Sequence, residues 1–369
     1  MKRLSLFLLL LLSLSFSISA EAAPAAPAIE YEKGLVLSVT PLELSAQKKA
    51  ALGEGMMVHF RLTSGPDIGK EIDTINYVSG KSAYEMKVEP GDKVIVAVSH
   101  DFGKTAYNIS DFDRLDYIYY LVGLFVLVLL VFARIVGLKS VIVIGVSLLI
   151  IFKFYIGQVL SGSWNLAALT VSVCAVIAVL THLPISGWSR KTVAALLGSM
   201  SGVIIAGLLS AASVKLMHLT GLDSEEAMLL KAATLSQVDF QGILFSGMVF
   251  GALGAVMDVS ISIASSLREV SAAHPEISRK QLFISGMNVG RDIMGTMSNT
   301  LILAYVGSSL PLVLLIMSQP QVSPLKIFNL SLIATEVARA LTGSIGLICS
   351  IPLTALISAW LFHQENKNQ

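Results

Sequence analysis

The residues best equipped for chemistry in this chain are charged groups set in apolar surroundings. Asp258 stands in the middle of GMVFGALGAVMDVSISIASSL, and Arg291 and Asp292 stand in GMNVGRDIMGTMSN, at the edge of another apolar run. A charge at bilayer depth costs at least about 2.5 kcal/mol, so it faces a partner or a polar path. A helix turns about 100° per residue, so positions three, four and seven apart share a face. That spacing puts Gly247, Gly251, Gly254, Asp258, Ser262 and Ser265 on one side of a helix. On the next helix Ser285, Asn288, Asp292, Thr296 and Asn299 align, with Arg291 pointing elsewhere, and further on Glu336 and Arg339 sit three apart with Gly343 on their face.

The chemistry these types support is proton carriage. Asp258 would take up and release the proton, and Ser262, Asp292 and Asn299 would extend the path. Arg291, Glu336 and Arg339 would gate it or compensate charge. Each feature also has a plainer reading. Gly247, Gly251 and Gly254 are what close helix packing uses. Arg291 and Asp292 suit a surface helix that leaves them solvated. Glu336 and Arg339 suit an ordinary pair along one helix. No GxSxG and no HExxH is present, and the six histidines are scattered, so nothing argues for an enzyme. His182, ahead of Pro184, reads as an interfacial histidine. No Cys/His cluster offers a metal site, and nothing calls for a cofactor.

The elements that must position these groups are apolar helices. The chain has 369 residues, of which 54% are hydrophobic and 14% charged, whereas a soluble domain has about a quarter charged. This composition indicates a mainly α, polytopic transmembrane helix bundle. The net charge of +1 gives no reason to expect nucleic acid. Cys174 and Cys349 both lie in apolar segments and read as packing residues. With about 20 residues needed per crossing, about seven spans fit, near 118–136, 141–160, 165–183, 192–215, 240–265, 285–317 and 330–362. The last two are too long for straight spans. Gly307 or Pro311 would break one, and Gly343, Gly346 or Pro352 the other.

Ahead of the bundle, residues 1–22 read as a secretory signal, with Lys2 and Arg3, an apolar core and Ala20-Glu21-Ala22. An uncleaved anchor is the alternative. Residues 24–117 form the only soluble-looking part. LVLSV, MMVHFRL, DTINYV, YEMKV and KVIVAV read as strands, punctuated by Ser64-Gly65-Pro66, Ser79-Gly80 and Glu89-Pro90-Gly91-Asp92. They imply a small, OB-like extracytoplasmic β-barrel or sandwich. Arg134, Lys139, Arg190, Lys191, Arg268, Arg279 and Lys280 fall in loops on one side of the membrane. Lys215, Lys231 and Lys326 fall on the other. The bias puts the β domain outside and the tail, residues 363–369, in the cytosol.

GALGAVMDVSISIASSL, GRDIMGTMSNTLILAYVG and EVARALTGSIGLICSIPLTAL, in this order behind a signal and a small exported domain, resemble the YibE/YibF-like family of bacterial membrane proteins. The resemblance implies an integral protein of the bacterial cytoplasmic membrane and no established activity. A more distant pattern, G-x-x-x-D on an apolar helix followed by LREV and a basic stretch, is similar to the Asp-bearing helix of RND and SecD/SecF-type permeases. That similarity implies proton-driven transport or export with Asp258 at the matching position. It spans one permease half, so it implies a homo-oligomer or a paralogous membrane partner. The expectation is therefore a proton-motive-force-linked permease or export-assisting protein. The rival is a non-transporting scaffold or sensor whose exported β domain binds a partner.

Overall fold

Five strands come first in the chain. The computed structural model describes residues 29–45, 49, 53–78, 85–101, 104–233, 238–318, 321 and 323–367. The expected signal lies outside them. The described chain falls into two compact units, divided between Val131 and Phe132.

The first unit holds β1 (Glu30–Leu42), β2 (Glu54–Leu62), β3 (Glu71–Val78), β4 (Lys93–Asp101) and β5 (Lys104–Phe112). They form one antiparallel sheet in the order β3-β2-β1-β4-β5. A meander of three strands with the fourth returned beside the first is a Greek key. Register shifts at Val36/Ser38 and at Ile95/Val96 bend the sheet into a half-barrel. Alternate residues line its concave side, where Val36, Val58, Phe60, Leu62, Val88, Val94, Val96 and Val98 make the core. The turn at Pro90–Gly91 closes with Asp92 N–H donating to the Glu89 carbonyl at 3.1 Å, and Gly91 takes φ +95°, which favours glycine.

Two strand expectations change. The described part of YEMKV is not a strand. Val88 is buried at one end of the core, and the Met86 carbonyl accepts from Asn76 Nδ2 at 2.6 Å. The fifth strand is KTAYNISDF instead. It is an edge strand, polar along most of its length, and only Tyr107, Ile109 and Phe112 pack on the core. That gives no apolar run to read.

Helix α1 (Leu115–Leu149) follows two residues after the sheet. Asp113 starts it, accepting from Leu115 N–H at 3.1 Å and from Lys33 Nζ at 2.8 Å. Arg134 interrupts α1 with φ 48° and ψ −123°. The expected loop near residue 138 is therefore a single-residue break four positions earlier. A π-helical stretch (Ile150–Tyr155) and α2 (Ile156–Ser161) continue it.

The second unit is built on α3 (Leu166–Ser186), α4 (Arg190–Leu216), α6 (Phe240–Ala273), α7 (Arg279–Ser308) and α10 (Ser331–Lys367), with the short helices α5 (Glu225–Ala232), α8 (Leu310–Met317) and α9 (Pro324–Phe328) between them. Side chains cap the long ones as their sequences dictate: Asn165 for α3, Ser189 for α4, Asp239 for α6, and a Ser278/Gln281 capping box for α7. Among the described residues five helices are long and apolar enough to cross a membrane, or six if α7 and α8 make one span bent by 62°. That bend falls at Ser309, between Gly307 and Pro311. Pro352, by contrast, lies inside an unbroken α10.

The tightest seam joins α4 to α10. A Cβ on Gly198 would fall 2.0 Å from Thr354 Oγ1, and one on Gly202 2.7 Å from Ser350 Cβ. One on Gly346 would lie 2.6 Å from Ala206 Cβ. Missing side chains on both helices let the backbones meet. His182 is turned into this bundle, 4% exposed, with Nε2 3.4 Å from Ser199 Oγ. Both cysteines are free, Cys174 buried and Cys349 half-buried.

Candidate functional site

The inner face of α6 is packed by Met248, Val249, Ala252, Val256, Val259 and Ile263, all buried. The glycine stripe is on the other face. Gly247, Gly251, Gly254, Asp258 and Ser262 are all exposed at the surface of the bundle. Nothing lies within 4 Å of where a Cβ would stand on Gly247 or Gly254, and Gly251 meets the Tyr305 hydroxyl at 2.6 Å. Small residues therefore do make a close seam in this bundle, but between α4 and α10. Among the described residues this stripe stays open at Gly247 and Gly254.

Asp258 is the only ionisable group on that stripe. Among the described residues its carboxyl makes no hydrogen bond and no ion pair. Ser262 does not serve it, because its Oγ donates to the Asp258 backbone carbonyl at 2.7 Å. Ser266 bonds back to Ser262 in the same way.

α7 runs antiparallel beside α6. Gly286 packs on Leu267, Gly290 faces Ile263, and Tyr305 reaches Gly251. That register sets Asp258 abreast of Gly295–Ser298, between Asp292 and Asn299 along the helix. Arg291, Asp292, Thr296 and Asn299 are all on the exposed face of α7. Arg291 Nη1 donates to Asn288 Oδ1 at 3.2 Å, one turn back on its own helix. Thr296 and Thr300 bond back to their own helix. The two polar stripes read from the sequence thus lie on adjacent helices and both look outward.

Glu336 and Arg339 form a second group, at the bend between α7 and α8. Arg339 Nη1 lies 3.1 Å from Glu336 Oε1, and Ser309 Oγ donates to Glu336 Oε2 at 2.9 Å. Neither Tyr305 Oη nor Arg339 Nε, both buried atoms, has a hydrogen-bond partner among the described residues. The pair is therefore more than a bond along one helix, because it also holds the start of α8. Tyr305 is the link to the first group, since its hydroxyl lies on Gly251, about two helical turns along the stripe from Asp258. Sequence reading missed Ser309 and Tyr305. The one available signal was Pro311, which marks a helix start and hence a cap just before it.

Two cavities lie elsewhere in this unit. One of about 870 Å³ is lined by Asn165, Lys215, His218, Asp239, Gln241 and Phe245 among others. The other, about 320 Å³, is lined by Arg279, Lys280, Phe283 and Trp360 among others. Neither includes Asp258. Among the described residues no group of His, Cys, Asp and Glu could hold a metal ion.

The β unit carries its own charged cluster. His59 Nδ1 is 2.8 Å from Asp73 Oδ1 and Nε2 is 3.3 Å from Glu71 Oε2, while Arg61 Nη2 donates to Glu71 Oε1 at 2.6 Å. The Asp73 carboxylate, and after it Glu71, hold the His59 imidazole above the ordinary histidine value. Arg61 and then His59 hold Glu71 below the usual carboxylate value. At the edge between β3 and β5, Asp67 accepts from Tyr107 and from Lys70, which keeps its carboxylate charged to lower pH.

A family model described as YibE/F-like protein matches residues 121–364. No curated protein and no solved structure matches the chain.

Proposed function

The chain belongs to the YibE/F-like protein family, and from that premise we propose that it is a multi-pass protein of the bacterial cytoplasmic membrane that links proton movement to transport or export. The break at Arg134 divides the first long helix into two crossings, which makes about seven with the others. The β domain stands outside and the end of α10 inside, in keeping with the Lys/Arg bias. Asp258 is the proton-carrying group. Asp292, Ser262 and Asn299 lie along the same face, and Arg291, Glu336 and Arg339 set its charge balance.

The observation that carries this reading is the isolation of Asp258. A carboxyl halfway along a long apolar helix, with no hydrogen-bond or ion-pair partner among the described residues, has no structural task that would justify its cost. A packing role would be met by Ser or Asn more cheaply. One observation favours the rival, a scaffold or sensor that works through its β domain: Asp258 lines neither cavity.

Asp258→Asn separates the two. The variant is tested for rescue of cells lacking the protein across a range of external pH, and for thermal stability after purification in detergent. The permease reading expects a stable protein that fails to rescue. A variant that rescues like the wild type removes Asp258 from the mechanism. Activity lost only in step with stability favours the scaffold.

A further inference from the structure

We propose that the α6–α7 face is where a second copy of this chain docks inside the membrane, related by a two-fold axis along the membrane normal, with Asp258 of each copy meeting Arg291 of the other. The inference rests on the membrane reading above and gives the expected partner an identity and a contact.

The surface is shaped for another helix. Gly247 and Gly254 on α6 and Gly295 and Gly307 on α7 have nothing within 4 Å of where a Cβ would stand. A partner backbone could approach there closely. The face is also costly to leave bare. Among the described residues Asp258 and Asp292 are exposed without a partner, and Arg291 is exposed with a hydrogen bond to Asn288 alone. Each charge left against acyl chains costs about 2.5–3.5 kcal/mol.

Charge selects the occupant. A two-fold interface needs a surface complementary to itself, carrying both members of every contact. This face carries acid and base together. In the α6–α7 register Arg291 lies abreast of Ser262, one helical turn from Asp258, or about 6 Å along the axis. An extended arginine side chain covers that offset across a dyad. Other segments fit less well. The apolar stretch from Asp116 to Val131 contains no cation. Lys153 is exposed, but the Tyr155 ring packs edge-on against Phe250 at 5.0 Å. Two residues from Tyr155, Lys153 therefore stands about 9 Å or more along α6 from Asp258, beyond the offset of Arg291. Asp292, beside Arg291, shares the same cation across the dyad, so loss of Asp258 alone weakens docking and reversal of Arg291 is the stronger perturbation.

The test uses the full chain in lipid vesicles, with Cys174→Ala and Cys349→Ala as background. Gly254→Cys is expected to give an intermolecular disulfide on mild oxidation. Leu208→Cys, on the exposed face of α4, is expected to give none. Adding Arg291→Asp to Gly254→Cys should cut the dimer fraction about tenfold, and adding Asp258→Arg as well should restore it. Independently, a fluorescently labelled chain with its native cysteines should bleach in two steps per spot at low density. Single-step bleaching, equal cross-linking at both sites, or a Gly254→Cys product joined to a different polypeptide each overturns the proposal. The proton reading fails separately. A monomeric chain in which Asp258→Asn abolishes rescue sinks the dimer alone. A dimeric chain in which Asp258→Asn rescues fully sinks the proton role alone.

Discussion

Gly198→Ala and Gly254→Ala are the same change on two long helices, and the structure assigns them opposite outcomes. At Gly198 the new methyl would fall 2.0 Å from Thr354 Oγ1, 2.8 Å from its Cβ and 3.1 Å from its Cα. Rotating the threonine relieves only the first of these clashes. It would also break the bond from Thr354 Oγ1 to the Ser350 carbonyl, 2.7 Å, and the one to Ser260 Oγ, 3.3 Å. The last of the three atoms belongs to the backbone, so α4 and α10 must move apart along their closest seam. Overpacking of this kind costs about 1–3 kcal/mol, and a lost buried hydrogen bond about 1 kcal/mol more. Alanine returns up to about 1 kcal/mol in helix propensity. The net loss is about 1–3 kcal/mol. For a unit the size of Phe132–Gln369 this lowers Tm by about 3–9 °C.

At Gly254 the same methyl meets nothing within 4 Å, so only the propensity gain remains. That variant should melt at or slightly above the wild-type temperature. The measurement is thermal unfolding of the full chain in detergent, at dilutions where it is monomeric. It is followed, in a Cys349→Ala background, by a thiol-reactive fluorophore that reaches Cys174, fully buried in the fold, only on unfolding. If Gly198→Ala melts no lower than the wild type, or Gly254→Ala falls as far as Gly198→Ala, the assignment of closed and open seams is wrong.

Three other perturbations have outcomes set by the geometry. His59 is held above the ordinary value of 6.5 by Asp73 first and Glu71 second, so its stabilising contribution is complete below that value and is lost as pH rises through the raised one. A histidine NMR titration of the full chain should give a midpoint above 6.5 for His59, moving down in Asp73→Asn; a midpoint at or below it refutes the pairing. Asp113→Ala removes the acceptor for both Leu115 N–H and Lys33 Nζ. The lost cap costs about 0.5–2 kcal/mol, and amides in the first turn of α1 should exchange faster, by about tenfold for a loss of 1.4 kcal/mol. Asp258→Asn should leave Tm near the wild-type value, because among the described residues the carboxyl makes no bond that the amide would lose.

The long helices were legible because apolar length alone marks them, and the core strands because β1, β2 and β4 alternate. β5 was not, since an edge strand needs little apolar surface and its hydrogen bonds come from β4. Helical periodicity grouped Gly247, Gly251, Gly254, Asp258, Ser262 and Ser265 on one face; the first five are exposed and Ser265 is half-buried. It could not say whether that face looks in or out, because α4 carries an equally good small-residue row, Gly198 and Gly202, that looks in. In an apolar segment both faces are hydrophobic, and the direction is decided by which other helix matches the row. Gly346, Ser350 and Thr354 on α10 match α4. The group around Glu336 was half legible. Its spacing to Arg339 is local, but Ser309 and Tyr305 reach it only through the bend between α7 and α8.

This distribution bears on how the α6–α7 stripe can be used. Inside the bundle, hydroxyls and glycines are spent on closure: Thr170 bonds Ser246 and Tyr155, Ser210 bonds Thr342, and Thr354 bonds Ser260. Removing any of these opens a packed seam, so loss of activity there would be confounded with loss of fold. On the stripe the same residue types hold nothing together within the protomer. Gly247 and Gly254 touch no side chain, Ser262 is satisfied by its own helix, and Asp258 is bonded to nothing among the described residues. Apart from Gly251, which the Tyr305 hydroxyl approaches, folding of the protomer therefore places no demand on which residues stand there. A carboxylate and two glycines on a face free to be wholly apolar indicate a requirement that arises after folding, either a proton to carry or a second surface to meet. Substitutions on this stripe are consequently the ones in which function can be read without correcting for stability.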